Sequence, residues 1–174
     1  IAGCIGCNAC YGKGRCVTFP NDKVNEFLDL CQKNKFDGFV FGSPVHYAHP
    51  SGAITSFLDR TFYSSDKSLF RGKLGAAVVN CRRGGASASF DMLNKYFTIT
   101  NMPIVSSQYW NQTHGFVPDD VMKDLEGLQT MRTLGRNMAW LIKCIKLGEK
   151  HGVTFPPLEP PVMTNFMGIK SPGH

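Results

Sequence analysis

Apolar positions recur at two periods along this chain, and the switches between the periods mark out alternating helices and strands. Val24, Phe27, Leu28, Leu30 and Cys31 follow a helical repeat. Asn21 or Asp22 stands where a side chain can accept from the first free N–H groups, so the spacing predicts a capped helix. Asp37-Gly38-Phe39-Val40-Phe41-Gly42 is a short apolar run bounded by glycine, which predicts a strand covered on both faces. It empties into the loop Ser43-Pro44-Val45-His46-Tyr47 and then into a helix from about Ser51 to Tyr63. The pattern repeats, with a buried strand over Lys73–Asn80, a loop Cys81-Arg82-Arg83-Gly84-Gly85, and a helix over Ala86–Ile99. Pro103–Ser107 predicts a third, shorter strand leading into the loop Gln108–Gly115.

Pro118-Asp119-Asp120 is expected to cap a long amphipathic helix carrying Val121, Leu125, Leu128, Met131, Leu134, Met138, Leu141 and Ile145, with Gly148 and Gly152 marking its end. The Pro-rich stretch from Phe155 to His174 has no period and is expected to lie along the surface. Strand and helix alternate, so the class is α/β with a parallel sheet. In an open sheet of that kind ligands sit beyond the carboxyl ends of the strands, and the three unusual loops fall there.

Length and composition narrow the function classes. A chain of 174 residues with 43% hydrophobic content builds one domain with a sizeable core. The expected organisation is a single domain over 1–174, with a cysteine-rich loop at 1–20 and an extended tail at 153–174. No apolar run reaches membrane-spanning length. A net charge of +6 favours anionic partners. The basic residues are scattered, with only Arg82 and Arg83 adjacent, and no nucleic-acid-binding module is legible. Seven cysteines with no apolar leader point to a reducing cytoplasm rather than a secreted disulfide scaffold.

Four of those cysteines stand at Cys4-x2-Cys7-x2-Cys10-x5-Cys16. Three thiols at successive short intervals suit the corners of an iron–sulfur cubane, and the longer gap brings in a fourth ligand. Gly3, Gly6, Gly12 and Gly14 let such a loop bend sharply. Structural zinc usually separates two short pairs by a longer finger, and remains an alternative alongside reduced, unliganded thiols or an adventitious disulfide.

The run Gly42-Ser43-Pro44-Val45-His46-Tyr47, with Ser51-Gly52 and Ser56-Phe57-Leu58-Asp59-Arg60, resembles the flavodoxin-like NADPH-dependent FMN reductase family. Preceded by the compact cysteine loop, it is similar to the iron–sulfur flavoprotein branch. The resemblance continues through Cys81–Gly85, Tyr109-Trp110-Asn111, His114-Gly115, Leu134-Gly135-Arg136-Asn137-Met138-Ala139-Trp140 and Thr164-Asn165-Phe166, nearly the whole chain. It implies a doubly wound, flavodoxin-like parallel sheet with FMN at its strand ends, commonly in dimers or tetramers. The family begins with a strand and a Ser-rich phosphate loop, then a helix and a second strand. These are absent ahead of Ile1, a βαβ portion on the order of 30 or more residues. The expectation is that the numbering starts inside a longer polypeptide.

The resemblance assigns Ser43, Pro44, Val45, His46 and Tyr47 to the flavin ring and ribityl chain. It assigns Asn80, Cys81, Arg82, Arg83, Gly84 and Gly85 to the same cofactor. Arg82 or Arg83 would place positive charge near flavin N1 and O2, and the two glycines would permit close backbone approach. Cys81 reads as a small residue beneath the flavin, with a reactive thiol beside two arginines as the alternative. Cys4, Cys7, Cys10 and Cys16 are the candidate ligands of a [4Fe–4S] cluster.

Trp110 and His114 are candidates to close over the ring, and His46 and His49 are the other histidines able to titrate near neutrality. Asp59 and Arg60 are expected to form an ion pair at a helix end or subunit contact. Cys31 and Cys144 are expected to be buried, and Met122, Met131 and Met138 to fill core or interface. The function expected is an FMN-dependent oxidoreductase taking hydride from NAD(P)H and passing electrons onward to an acceptor the sequence does not name. The alternatives are a non-enzymatic electron carrier fed by ferredoxin and a zinc-stabilised binding module.

Overall fold

A computed structural model describes residues 1–160, 162 and 164. Its elements are α1 (Lys23–Lys33), β1 (Gly38–His46), β2 (His49–Pro50), α2 (Gly52–Ser64), a 3-10 turn (Lys67–Leu69), β3 (Leu74–Cys81), α3 (Ala86–Ile99), β4 (Gln112–His114), α4 (Pro118–Val121) and α5 (Leu125–Lys150). The sheet order is β2-β1-β3-β4. β1 and β3 pair in parallel from Gly38↔Leu74 to Pro44↔Asn80, and β3 pairs in parallel with β4 from Val79↔Gln112 to Cys81↔His114. The α/β class with a parallel sheet is therefore as expected, with the two-residue β2 added antiparallel at its edge.

A layer of aromatic residues forms the larger core. Phe39 and Phe41 point from β1 toward α1, α2 and α3, where Leu28, Leu58, Phe62, Leu93 and Phe97 meet them. Phe41 stacks on Phe97 at 5.7 Å and Phe39 meets Phe70 edge-on at 5.1 Å. Close approach depends on Gly75 in β3, where an added Cβ would lie 2.5 Å from the Phe97 ring. The opposite face carries a smaller core in which Leu74, Ala76 and Val105 pack against Leu134, Met138, Leu141 and Ile142.

Several elements differ from the sequence expectation. β1 extends through Ser43–His46, which were expected to form a loop, because Val45 and His46 pair with Pro50 and His49 across a tight hairpin. Its burial alternates: Phe39, Phe41 and Ser43 are buried, whereas Val40 is 52% exposed and Gly42 and Pro44 face outward. The helices α1, α2 and α3 cover one face of this strand, and α5 packs over β3 on the other, so two-sided burial holds for β3 rather than β1.

The third strand is Gln112–His114, not Pro103–Ser107. In the earlier segment a single bridge joins Ile104 to Gly75. Pro103 lacks the N–H that would extend the ladder, and Ser107 turns the chain by donating to Tyr109 O and Asn111 Oδ1. The long helix begins at Leu125 and not at Pro118. Asp120 accepts from the N–H groups of Phe116 and Val117 and closes one short turn, after which Asp124 recaps the chain by accepting from Gly127 N. Met122 is 65% exposed rather than core, and Cys144 is exposed rather than buried, whereas Cys31 is buried as expected. Burial pushes the Cys31 thiol up to about 11, which leaves it unreactive at neutral pH.

Part of the expected surface tail is described: Phe155 lies beneath the Arg71 guanidinium at 4.9 Å, and Pro156 O accepts from Arg71. The Asn165-Phe166 motif and most of the tail beyond residue 160 lie outside the described residues. No helix among the described residues is long and apolar enough to cross a membrane.

Candidate functional site

Because β1, β3 and β4 are parallel, their carboxyl ends share one edge of the sheet. Three loops meet there. The first is the turn of the β1–β2 hairpin, whose central residues Tyr47 and Ala48 have φ of 51° and 60°. Both angles lie in the left-handed region, which two-residue hairpins require and which side chains other than glycine adopt at a cost. That turn carries a fully exposed Tyr47 ring. The second is the loop Cys81–Gly85. Gly85 has φ 92°, and its ideal Cβ would fall 2.5 Å from Ala48 Cα and 2.9 Å from Val45 Cγ1. Glycine at this position is therefore what lets the second loop lie against the first. The third is His114-Gly115, whose His114 Nδ1 is 3.5 Å from the Cys81 sulfur.

The expected flavin contacts take different places at this edge. Ser43 is buried, its hydroxyl donating to Pro44 O and accepting from Ser51 N at 2.9 Å, so it ties the strand end to the start of α2. Pro44, His46 and Tyr47 face outward, and Val45 is half-buried. Asn80 uses both ends of its amide, donating to Gly115 O at 3.2 Å and accepting from Thr113 Oγ1 at 3.0 Å. Cys81 is buried beneath the loop. Arg82 and Arg83 are exposed and enter no ion pair among the described residues. An added Cβ on Gly84 would meet no atom within 4 Å, which leaves open space over that backbone. The fit to a flat anionic cofactor is good: unpaired cations, a bare backbone stretch and an exposed aromatic ring border one edge. Tyr109 and Trp110 pack on each other at 5.1 Å, both 53% exposed. His49 turns its Nδ1 to Pro50 O at 2.8 Å.

The cysteine loop forms a second locus. Cys4, Cys7, Cys10 and Cys16 line one apolar pocket together with Ile5, Phe19 and Arg60. No group of three or more His, Cys, Asp or Glu side chains among the described residues is arranged around a single metal ion. Four thiols edging a common apolar pocket fit in kind a larger sulfur-bridged group. Cys7 Sγ lies 2.9 Å from Thr18 Oγ1, and that hydrogen bond, helped by a backbone N–H, holds its thiol below the ordinary pKa. Burial raises that of Cys10.

Sequence reasoning missed the residues that fasten this loop. Asn25, 2% exposed, donates to Cys16 O at 2.8 Å and Pro20 O at 3.0 Å and accepts from Cys16 N at 3.0 Å. Its only sequence signal is a polar residue beside Val24 on the apolar face of α1. Replacing Asn25 with Ala strands those backbone groups, so the expected cost is about 2–3 kcal/mol and a fall in melting temperature of about 5–10 °C, read by circular dichroism.

Arg60 also departs from expectation. It pairs with Asp22 and not with its neighbour Asp59, which instead accepts from the Tyr96 hydroxyl. Arg60 faces into the molecule while Asp59 is exposed, because adjacent positions on a helix do not face each other.

The family model described as NADPH-dependent FMN reductase matches residues 7–116. An iron–sulfur flavoprotein of Methanocaldococcus jannaschii is 32% identical over 150 residues, covering 82% of this chain and 76% of that protein. An iron–sulfur flavoprotein of Clostridioides difficile is 34% identical over 88 residues, 50% of this chain and 38% of its own. Among solved structures, a flavodiiron core from Synechocystis is similar with a TM-score of 0.49 and 21% identity, over 71% of this chain and 27% of its own. The chain belongs to the NADPH-dependent FMN reductase family, in its iron–sulfur flavoprotein branch.

Proposed function

We propose that this protein is an FMN-dependent oxidoreductase that accepts hydride from NAD(P)H and passes electrons onward, with the cysteine pocket as a one-electron relay. The observation that carries the flavin reading is the junction at the sheet edge, where Gly85 lies against the left-handed Tyr47-Ala48 turn. Two strand ends are thereby held as one surface facing open solvent, with Arg82 and Arg83 beside it.

The residues divide the work. Backbone groups of Pro44–Tyr47 would face the flavin's pyrimidine edge, and Tyr47 would flank the ring. Gly84 and Gly85 admit close approach, and the guanidinium of Arg82 or Arg83 stabilises negative charge on the reduced cofactor. Ser43, Asn80 and Cys81 act from beneath by fixing the loops. Bound FMN supplies hydride acceptance and release of electrons singly or in pairs. Cys4, Cys7, Cys10 and Cys16 would hold a [4Fe–4S] cluster, which supplies single-electron transfer. Helix α2 links the two loci: Ser51 at its start bonds Ser43, and Arg60 nearer its end lines the cysteine pocket. At ~1.5 Å per residue these two positions are ~14 Å apart along the helix. A reducing cytoplasm suits seven unpaired thiols, and assembly as a homodimer or homotetramer is part of this reading.

The four-thiol pocket also favours a second reading, an electron carrier fed by ferredoxin that does not oxidise NAD(P)H. One experiment separates them. Protein purified without oxygen is expected to show flavin bands on a broad shoulder that bleaches with dithionite, and to oxidise NADPH or NADH under steady-state conditions. The same spectrum without nicotinamide oxidation supports the carrier, flavin bands alone leave a simple FMN reductase, and a colourless protein overturns the flavin reading.

A further inference from the structure

The buried guanidinium of Arg60 has one hydrogen-bond donor too many for the protein around it. Its side chain is 1% exposed. One terminal nitrogen donates to Ala2 O at 3.2 Å and to one carboxylate oxygen of Asp22. The other donates to Phe19 O at 2.9 Å and to the second Asp22 oxygen at 3.1 Å. Those four bonds use four of the five N–H groups an arginine carries. The fifth, on Nε, is buried and has no partner. A buried donor left without an acceptor is costly, and of the seven buried side-chain atoms without a partner among the described residues, Arg60 Nε and Ser64 Oγ belong to residues that line the cysteine pocket. Arg60 lines the pocket edged by Cys4, Cys7, Cys10 and Cys16. The Phe19 ring lies across the guanidinium at 5.0 Å, which fixes its plane and shields it from water.

We propose that Arg60 is the tuning cation of the cysteine pocket, its Nε–H donating to a ligating cysteine sulfur of the assembled cluster and its charge raising the cluster's reduction potential. This rests on the cluster reading of the cysteine loop. The sign follows from electrostatics: reduction adds negative charge to the cluster, and a nearby cation with a hydrogen bond to sulfur stabilises the reduced form. Asp22 has the opposite effect. It holds the guanidinium by two bonds and cancels part of its field, so the pocket senses the difference between the two charges. The arrangement costs about as little as a buried ion can, because the pair is bidentate and the guanidinium is saturated except at the nitrogen left for the sulfur.

Two substitutions pull the potential in opposite directions, which a merely structural role for the pair does not produce. Arg60→Gln removes the cation and is expected to shift the cluster midpoint downward by about 59 mV, the one-electron equivalent of a tenfold change in the reduced-to-oxidised ratio. Asp22→Asn keeps the α1 cap, since Asn serves there as well as Asp, and removes the counter-charge, so the midpoint is expected to move upward. The measurement is a dithionite titration followed by electron paramagnetic resonance on anaerobically reconstituted full-chain protein, with iron and FMN counted in parallel.

Wild-type protein that takes up no iron overturns the cluster reading and this proposal with it. Wild type that loads iron while both variants load iron and keep its midpoint overturns the role of Arg60 alone. Where Arg60→Gln fails to fold, Asp22→Asn decides: an upward shift supports the proposal, and an unchanged midpoint overturns it.

Discussion

Replacing Cys7 with Ser is expected to drop iron from about four atoms per chain to well under one while leaving FMN bound. Cys7 belongs to the exposed part of the cysteine loop, and its sulfur touches only the Thr18 hydroxyl among the side-chain hydrogen bonds. No core contact depends on it, so a change from sulfur to oxygen costs the fold little. The loop is anchored elsewhere, by Asn25 on Cys16 and by Arg60 on Ala2 and Phe19. Those anchors survive the substitution. A serine hydroxyl is a poor ligand for iron at neutral pH because it is not ionised, so the three remaining thiolates would hold an incomplete and labile group. The flavin surface lies at the carboxyl ends of β1, β3 and β4, beyond the N-terminal end of α2, and none of its residues contacts Cys7. Iron and flavin counted on the same preparation give the result. Iron unchanged from wild type would mean that the four thiols do not act as one set, and loss of both cofactors would mean that the cysteine loop organises the flavin edge.

The sequence disclosed elements whose signals are local. Asp22, Ser51 and the Ala86–Ile99 run lie at the predicted helix boundaries because capping and helical period operate over a few residues. The loops at strand ends could be placed near one another because parallel strands force their carboxyl ends to one edge. What was not legible depends on distant partners. β1 continues past Gly42 because His49 and Pro50 return to pair with it. The third strand falls at Gln112 rather than Pro103 although both segments bond β3: Pro103 O and Val105 N meet Gly75 in a single bridge, whereas from Asn111 O on Val79 N the pairing runs on through His114. Arg60 and Asp22 are 38 residues apart, and nothing in either neighbourhood announces the pair. The cysteine spacing named four candidate ligands, but the residues that hold their loop in place, Asn25, Thr18 and Arg60, carry no motif of their own. One-sided burial of β1 was missed for a related reason: an apolar run such as Phe39-Val40-Phe41 reports hydrophobicity and cannot report which face finds a helix.

Gly85→Ala is expected to weaken FMN binding by at least ~30-fold, about 2 kcal/mol, while the protein still folds. Two costs act at this position. Gly85 has φ 92°, where any L side chain is strained by about 1–2 kcal/mol. The new Cβ would also lie 2.5 Å from Ala48 Cα and 2.9 Å from Ala48 Cβ, contacts no real structure tolerates. The φ strain is local to residue 85, but the clash is relieved by moving the hairpin tip away from the β3 loop, which separates the two halves of the proposed flavin surface. The cores lie along the sheet faces, so the melting temperature should change by only a few degrees. Gly84→Ala supplies the comparison. Its Cβ would meet no protein atom within 4 Å, so the free protein should be indifferent to it. Any loss of FMN affinity in that variant therefore reports the ligand's own proximity to the backbone. Fluorescence quenching titrations of FMN on the two variants and wild type provide the numbers. Weakened binding in Gly85→Ala with none in Gly84→Ala would mean that the junction shapes the site without the flavin crossing Gly84. Weakening in both would put the cofactor over this loop, and wild-type affinity in Gly85→Ala would remove the junction from the site altogether.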